Sequence, residues 1–323
     1  MPLTATVALF SVAALWAASA SFANHPVLVE GNCNGAGTAA RTAVTPGTCG
    51  DYDSDGRIGS AEDTDEADRV FGTINAAMGP GTGAAAGTGA NHNGSVTIVA
   101  DGVYPEIVVI GLPDARFPGL GTATPGNVTL QAAPGVEANI DAVLQGEPGT
   151  SARQGQPGIV VNMPRNRQVA IRNVTSRNWT SGIEISHDSR VAISGSRFEN
   201  NVNYGIEAKG NARVTISKTE VAATGYRLNP VTGNFPSDAN VPDPGIGIEF
   251  DDTSAGTVFN STVSGSFAAG IANTSTNRVG VCVANVNAFD NDPDYAGVKP
   301  RAFLTSCGTA KPGSRTAKVA RSR

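Results

Sequence analysis

The sequence predicts an all-β solenoid of stacked short strands, and three features carry that prediction. Gly-Ile pairs recur at Gly158-Ile159, Gly182-Ile183, Gly205-Ile206, Gly247-Ile248 and Gly270-Ile271. Their glycines are 24, 23, 42 and 23 residues apart, and the long interval becomes regular if it holds an inserted loop of about 19 residues. A second apolar beat follows each pair: Val169-x-Ile171, Val191-x-Ile193, Val214-x-Ile216, a weaker Gly256-x-Val258, and Val279-x-Val281. Each period therefore holds two short alternating strands separated by turn residues. One period cannot bury its own apolar face, so the periods must stack. The period alone would also suit a leucine-rich repeat, but Leu228 is the only leucine between Gly158 and Pro300. Ile, Val and Ala, with Asn, Ser, Thr and Gly between them, suit strands and tight turns instead.

The segments VAIRNVTSRNWTSGIEI (169–185) and VAISGSRFENNVNYGIEA (191–208) run as strand, Asn-rich turn, Gly-Ile strand. In this they resemble the repeats of the pectin-lyase-like superfamily. The resemblance implies a single-stranded right-handed parallel β-helix with an N-terminal capping α-helix. ADRVFGTINAAM (67–78) looks like that cap, and VTIVADGVYPEIVVI (96–110) and VTLQAAPGVEANI (128–140) look like the opening coils. The likeness covers roughly residues 67–300 and concerns the fold, because no catalytic signature of a named lyase or hydrolase family accompanies it. Within the predicted helical stretch 60–78, Val70, Phe71, Ile74, Ala77 and Met78 make one apolar face suited to covering the open end of the solenoid. Acidic residues near its start suit the helix dipole.

Composition bounds the rest. The chain has 323 residues, 39 of them glycine, with 16% charged and 6% aromatic residues, as befits a turn-rich globular protein. A net charge of −5 gives no general attraction to nucleic acid. Residues 1–23 read as a signal peptide: the apolar run 7–20 is too short for a comfortable membrane span, and Ala18-Ser19-Ala20 and Ser21-Phe22-Ala23 offer small cleavage-site residues, although no Lys or Arg precedes the run. The mature protein is thus expected to be secreted, periplasmic or on the cell surface, without a membrane span. Residues 24–66 form a cysteine-bracketed segment, 67–308 the capped β-helix, and 309–323 a basic disordered tail. Four cysteines in an exported chain suggest two disulfides, and proximity favours Cys33–Cys49 and Cys282–Cys307 among three connectivities.

Residues 51–62, DYDSDGRIGSAE, match the calcium-loop pattern D-x-D-x-D-G-x₅-E at every fixed position. Asp51, Asp53 and Asp55 supply carboxylates, Gly56 the sharp turn, Arg57 a backbone carbonyl, and Glu62 the closing bidentate group. The loop resembles those of EF-hand and dockerin proteins, in a single copy. It implies calcium as a structural cofactor that fixes the start of the cap.

Aligning the periods on Gly-Ile stacks Glu184, Glu207 and Glu249, with Ile183/Ile185, Ile206/Ala208 and Ile248/Phe250 pointing inward. The glutamates should form an exposed ladder ~4.8 Å apart, where like charges repel by ~1 kcal/mol even in water. Compensation is expected from a cation, a basic neighbour or a raised pKa on the middle member. The same face stacks Ser186, Lys209 and Asp251, then His187, Gly210 and Asp252. The inserted loop, roughly 224–244, would wall this patch and bring Tyr226, Arg227 and Phe235 to a sugar ring or carboxylate. Three readings stand. Lys209 could be the base of a polysaccharide lyase, with Glu207, Glu249, Asp251 and Asp252 around a calcium ion. Paired carboxylates could hydrolyse a glycosidic bond. Or the ladder is a solvated face partly neutralised by Lys209, Arg190 and Arg213, on a non-catalytic surface or matrix protein. The expected partner is a polysaccharide or cell-surface glycan, bound across Glu184, Tyr226, Arg227 and Asp252.

Overall fold

In a computed structural model, which describes residues 26–30, 38–39, 69–79, 90–92, 94–142, 156–225, 245–277 and 280–301, the chain winds into a parallel β-helix. It opens with β1 (Pro26–Val29), β2 (Thr38–Ala39), β3 (Arg69–Phe71) and α1 (Ile74–Met78). Coils of three strands follow: β4 (Gly94–Ile98), β5 (Gly102–Tyr104), β6 (Val108–Gly111); then β7 (Val128–Ala132), β8 (Ala138–Asp141), β9 (Pro157–Met163). The third and fourth coils are β10 (Gln168–Arg172), β11 (Val174–Arg177), β12 (Ser181–His187), and β13 (Arg190–Ser194), β14 (Arg197–Glu199), β15 (Tyr204–Ala208). The fifth and sixth are β16 (Arg213–Ser217), β17 (Glu220–Ala222), β18 (Ile246–Phe250), and β19 (Ala255–Phe259), β20 (Thr262–Ser264), β21 (Ala269–Asn273). The last is β22 (Val281–Ala284), β23 (Asn287–Phe289), β24 (Tyr295–Ala296), and β25 (Pro300–Arg301) closes the series.

The first strands of the coils, with β1–β3 and β25, build an 11-stranded sheet, and the second and third strands each build a 7-stranded sheet. β1, from the segment expected to precede the solenoid, lies between β3 and β4 in the first sheet. Its Val-Leu-Val run offers a β-prone edge to a strand that would otherwise be unpaired.

The Gly-Ile rhythm is the register. Ile159, Ile183, Ile206, Ile248 and Ile271 face one another along the third sheet. Val169, Val191 and Val214 do so along the first. These rows point into one continuous core with Trp179, Phe198 and Phe250. Each fully buried Ile or Val contributes ~1.5–3 kcal/mol, and each is buried only because the next coil covers it. The long interval between Gly205 and Gly247 is accommodated as expected: β15 pairs directly with β18. A methyl group on Gly225 would lie 2.9 Å from the Gly245 Cα, so the inserted segment leaves and returns at one point.

Two expectations need correction. Each coil has three strands, not two. The strand overlooked is mostly three residues long and carries a single buried apolar residue, Phe198 in β14, Val221 in β17 and Val263 in β20, so it shows no alternation to read. Its two flanking corners hold left-handed residues, among them Asn173, Asn178, Asn200, Asn260 and Asn285. Asn tolerates that conformation better than most residues, which accounts for the Asn-rich turns. The helix is also shorter than the expected 60–78. Val70 and Phe71 are strand residues paired with β1, because an open sheet edge satisfies their backbone groups. Thr73 is extended and its side chain accepts from Ala76 N at 3.2 Å, capping α1. The Glu106 carboxylate takes the Ile74 and Asn75 amides at 2.7 and 2.8 Å, so the dipole and the free N–H groups are both satisfied. Ile74, Ala77 and Met78 enter the main core, and the helix caps the solenoid as expected. No helix among the described residues is long and apolar enough to cross a membrane.

Candidate functional site

Residues of the third sheet alternate in and out, and one outward row runs Val109, Val160, Glu184, Glu207, Glu249, Ala272 in register. The stacking and the outward direction are as the periods predict. The expected exposure is not: the Glu184 side chain is only 8% exposed, Glu249 is buried, and Glu207 is half-buried. Part of the cover is the segment between β6 and β7, which folds back across the sheet. Phe117 packs on Val109 and Val160 with Leu120 alongside, replacing water over the apolar end of the row. Its neighbour Arg116 then lies beside Glu184.

Arg116 binds Glu184 bidentately, with N–O distances of 2.9 and 2.6 Å. The same guanidinium holds Asp114 at 2.7 Å and sits 5.2 Å from the Phe117 ring centre. Lys209 Nζ lies 3.2 Å from Glu184 and 3.4 Å from Glu207. The ladder's counter-ions are therefore Lys209, as expected, and Arg116. Arg190 and Arg213 are not ion-paired to it; they begin β13 and β16, around the corner on the first sheet.

The three carboxyls differ. Burial pushes Glu184 up, but its hydrogen bonds and charge contacts to Arg116 and Lys209 outweigh this and hold it below the ordinary range. Burial pushes Glu207 up; Lys209 opposes, while Glu184 and Glu249 add to the rise. Glu249 is raised by burial and by the Asp251 charge, against hydrogen bonds from Thr274 and Tyr204. The middle member is raised as expected, though chiefly by burial, with repulsion in the ladder adding to it, and Glu249 is raised too. Thr274 Oγ1 lies 3.3 Å from Glu249 and 3.1 Å from Asp251, bridging the two carboxylates.

Beside the ladder runs a polar row, Asn162, Ser186, Lys209, Asp251, carried by the backbone pairing of successive coils. Asn162 Oδ1 is buried with no partner among the described residues. Ser186 Oγ and His187 Nδ1 are 3.0 Å apart. Asp252 is exposed and accepts the Gly210 amide at 2.9 Å, which orders the corner.

The structure thus brings together Glu184, Glu207, Lys209, Glu249 and Asp251. Tyr226, Arg227 and Phe235 lie outside the described residues, as do the calcium loop with Asp51, Asp53, Asp55, Arg57 and Glu62, and Cys33, Cys49 and Cys307. Cys282 is on β22, and the pairing of the four cysteines falls outside what is described. Among the described residues no three His, Cys, Asp or Glu side chains converge as a metal site needs. Glu207, Glu249, Asp251 and Asp252, the carboxylates expected around calcium beside Lys209, form no such group, because they are strung along parallel strands. Sequence reasoning missed Arg116, Asp114, Tyr204 and Thr274. Tyr204 had a signal, standing immediately before a Gly-Ile pair; Arg116 had none, since residues 112–127 follow no repeat.

Residues 147–296 match a family described as right handed beta helix region. The solenoid is a right-handed parallel β-helix. No curated protein and no solved structure matches the chain. The match concerns the fold, which serves polysaccharide-acting enzymes and other proteins alike, so activity must be argued from the site.

Proposed function

We propose that this is an exported glycan-binding protein, akin to the pectin-lyase-like superfamily, that hydrolyses a glycosidic bond on the outer face of its third sheet. The observation that carries the reading is the adjacent pair Glu207 and Glu249. Both are raised from their ordinary value, first by burial and further by carboxylate neighbours, beside a Glu184 held ionised by Arg116 and Lys209. Buried carboxyls with raised values beside one held ionised are candidates for acid/base work. The strand spacing of ~4.8 Å is near the ~5–5.5 Å separation of carboxyl groups in retaining glycosidases.

In this reading Glu249 donates a proton to the leaving oxygen. Glu207, with Lys209 at 3.4 Å to favour its ionised form, is nucleophile or base. Arg116 and Glu184 act on position: they fix Lys209, which fixes Glu207. The hydrolase reading is preferred to the lyase because Lys209 lies between two carboxylates. As a proton-abstracting base it would surrender both ion pairs. Calcium is proposed for the loop Asp51–Glu62, as a structural ion.

A panel of neutral and acidic polysaccharides, read by reducing-sugar release and by the ultraviolet absorbance of unsaturated uronates, tests this. Reducing sugar without unsaturated product, lost in Glu207→Gln and Glu249→Gln, is expected. Unsaturated product would restore Lys209 as base. The second reading, a non-catalytic surface or matrix protein, is favoured by how fully Glu184 is already satisfied. Retained binding with neither product would establish it.

A further inference from the structure

A second polar site lies at the corner where the third sheet turns into the first. Arg165, from the turn after β9, Arg190, the first residue of β13, and Arg213, the first of β16, line a cleft of about 210 Å³ with Asp188 and Asn211. They stand at three successive corners of the solenoid, after β9, β12 and β15, and Arg190 and Arg213 are direct register partners. Like charges so placed repel. Among the described residues neither Arg165 nor Arg190 makes an ion pair, and Asp188, the one carboxylate of the cleft, pairs with none of the three. Arg213 is held in place: its Nη1 donates to the Asn211, Ala212 and Thr253 carbonyls at 3.2, 3.0 and 3.1 Å. That leaves Nε and Nη2 of Arg213 for another partner. The arrangement is a set of guanidinium forks, one of them pre-oriented, with too little negative charge beside them.

We propose that this cleft binds a single oxyanion group, a sulfate, phosphate ester or carboxylate. Guanidinium forks match the planar edges of such groups bidentately. The size of the cleft argues for one group, since sites for drug-sized ligands run ~300–1,000 Å³. The protein's net charge of −5 and the carboxylate ladder on the adjoining sheet argue against a long polyanion laid across both faces. The site is independent of the hydrolytic reading, and anchors an anionic substituent one sheet away from it.

The test is calorimetric titration of the full chain with sodium sulfate at constant ionic strength, and separately with a sulfated disaccharide and its neutral parent. Wild type should bind sulfate saturably, and Arg190→Gln or Arg213→Gln should weaken it roughly tenfold or more. Sulfated disaccharide binding more tightly than sulfate would place the anion on a sugar; equal affinity would mean a free inorganic anion is the ligand. Without sulfate, Arg190→Gln should melt no lower than wild type, because it removes a repelling neighbour and no bond. Absence of saturable binding, equal binding by the variants, or binding lost in Arg190→Gln together with a lower melting temperature would each overturn the proposal.

Discussion

Arg116→Ala is the sharpest probe of how the ladder is held together. Glu184 is 8% exposed and Arg116 is 47% exposed in their side chains. Removing one partner of a fully buried pair costs ~3–5 kcal/mol. Here the arginine is half in water and Lys209 remains 3.2 Å from Glu184, so the expected loss is nearer ~1–2 kcal/mol. For a fold of this size that is a melting temperature lower by about 2–4 °C. The double variant Arg116→Ala/Glu184→Gln should recover most of it, since no buried charge is then left unpaired. The pH dependence has a definite sign. Glu184 is held below its ordinary value, so its contribution is present above that value and fades as pH falls through the lowered one. In Arg116→Ala the penalty should therefore shrink as pH falls and Glu184 protonates. Scanning calorimetry of wild type and the two variants between neutral and mildly acidic pH decides the matter. If the double variant melts as low as the single one, the loss comes from packing on Phe117 and the ion-pair account is wrong.

Glu207→Gln should melt no lower than wild type at neutral pH, because Glu207 is raised and its favourable contribution is lost as pH rises through the raised value. A clear fall in melting temperature there would refute the burial-driven shift. Gly182→Ala would put a methyl group 2.7 Å from the Gly205 carbonyl and from Asn201 Nδ2, and overpacking of this kind costs ~1–3 kcal/mol; an unchanged denaturant midpoint would show that the coils can spread. The loop Asp51–Glu62 should bind calcium in the ~10⁻⁴–10⁻³ M range, measured by calorimetry and abolished in Asp51→Ala/Asp55→Ala. An unchanged isotherm in that variant would mean the metal sits elsewhere.

The rows of the solenoid were legible from residues alone because two simple periods combine. Side chains alternate every second residue along a strand, and parallel coils repeat every strand spacing, so a Gly-Ile pair in one coil specifies the neighbour of the next. That is enough to stack Glu184, Glu207 and Glu249, to point them outward, and to place Lys209 and Asp251 beside them. The second sheet escaped notice because strands with one inward residue, such as the Phe198 strand, show no period. Burial of the ladder, its pairing with an arginine 68 positions away, and the gathering of Arg165, Arg190 and Arg213 at one corner were invisible for a different reason. They depend on where a non-repeating segment crosses a repeating face, and on which side chains a corner brings within reach. Periodicity carries information only about neighbours one coil apart. Contacts made across the repeat are set by the closed path of the backbone in three dimensions.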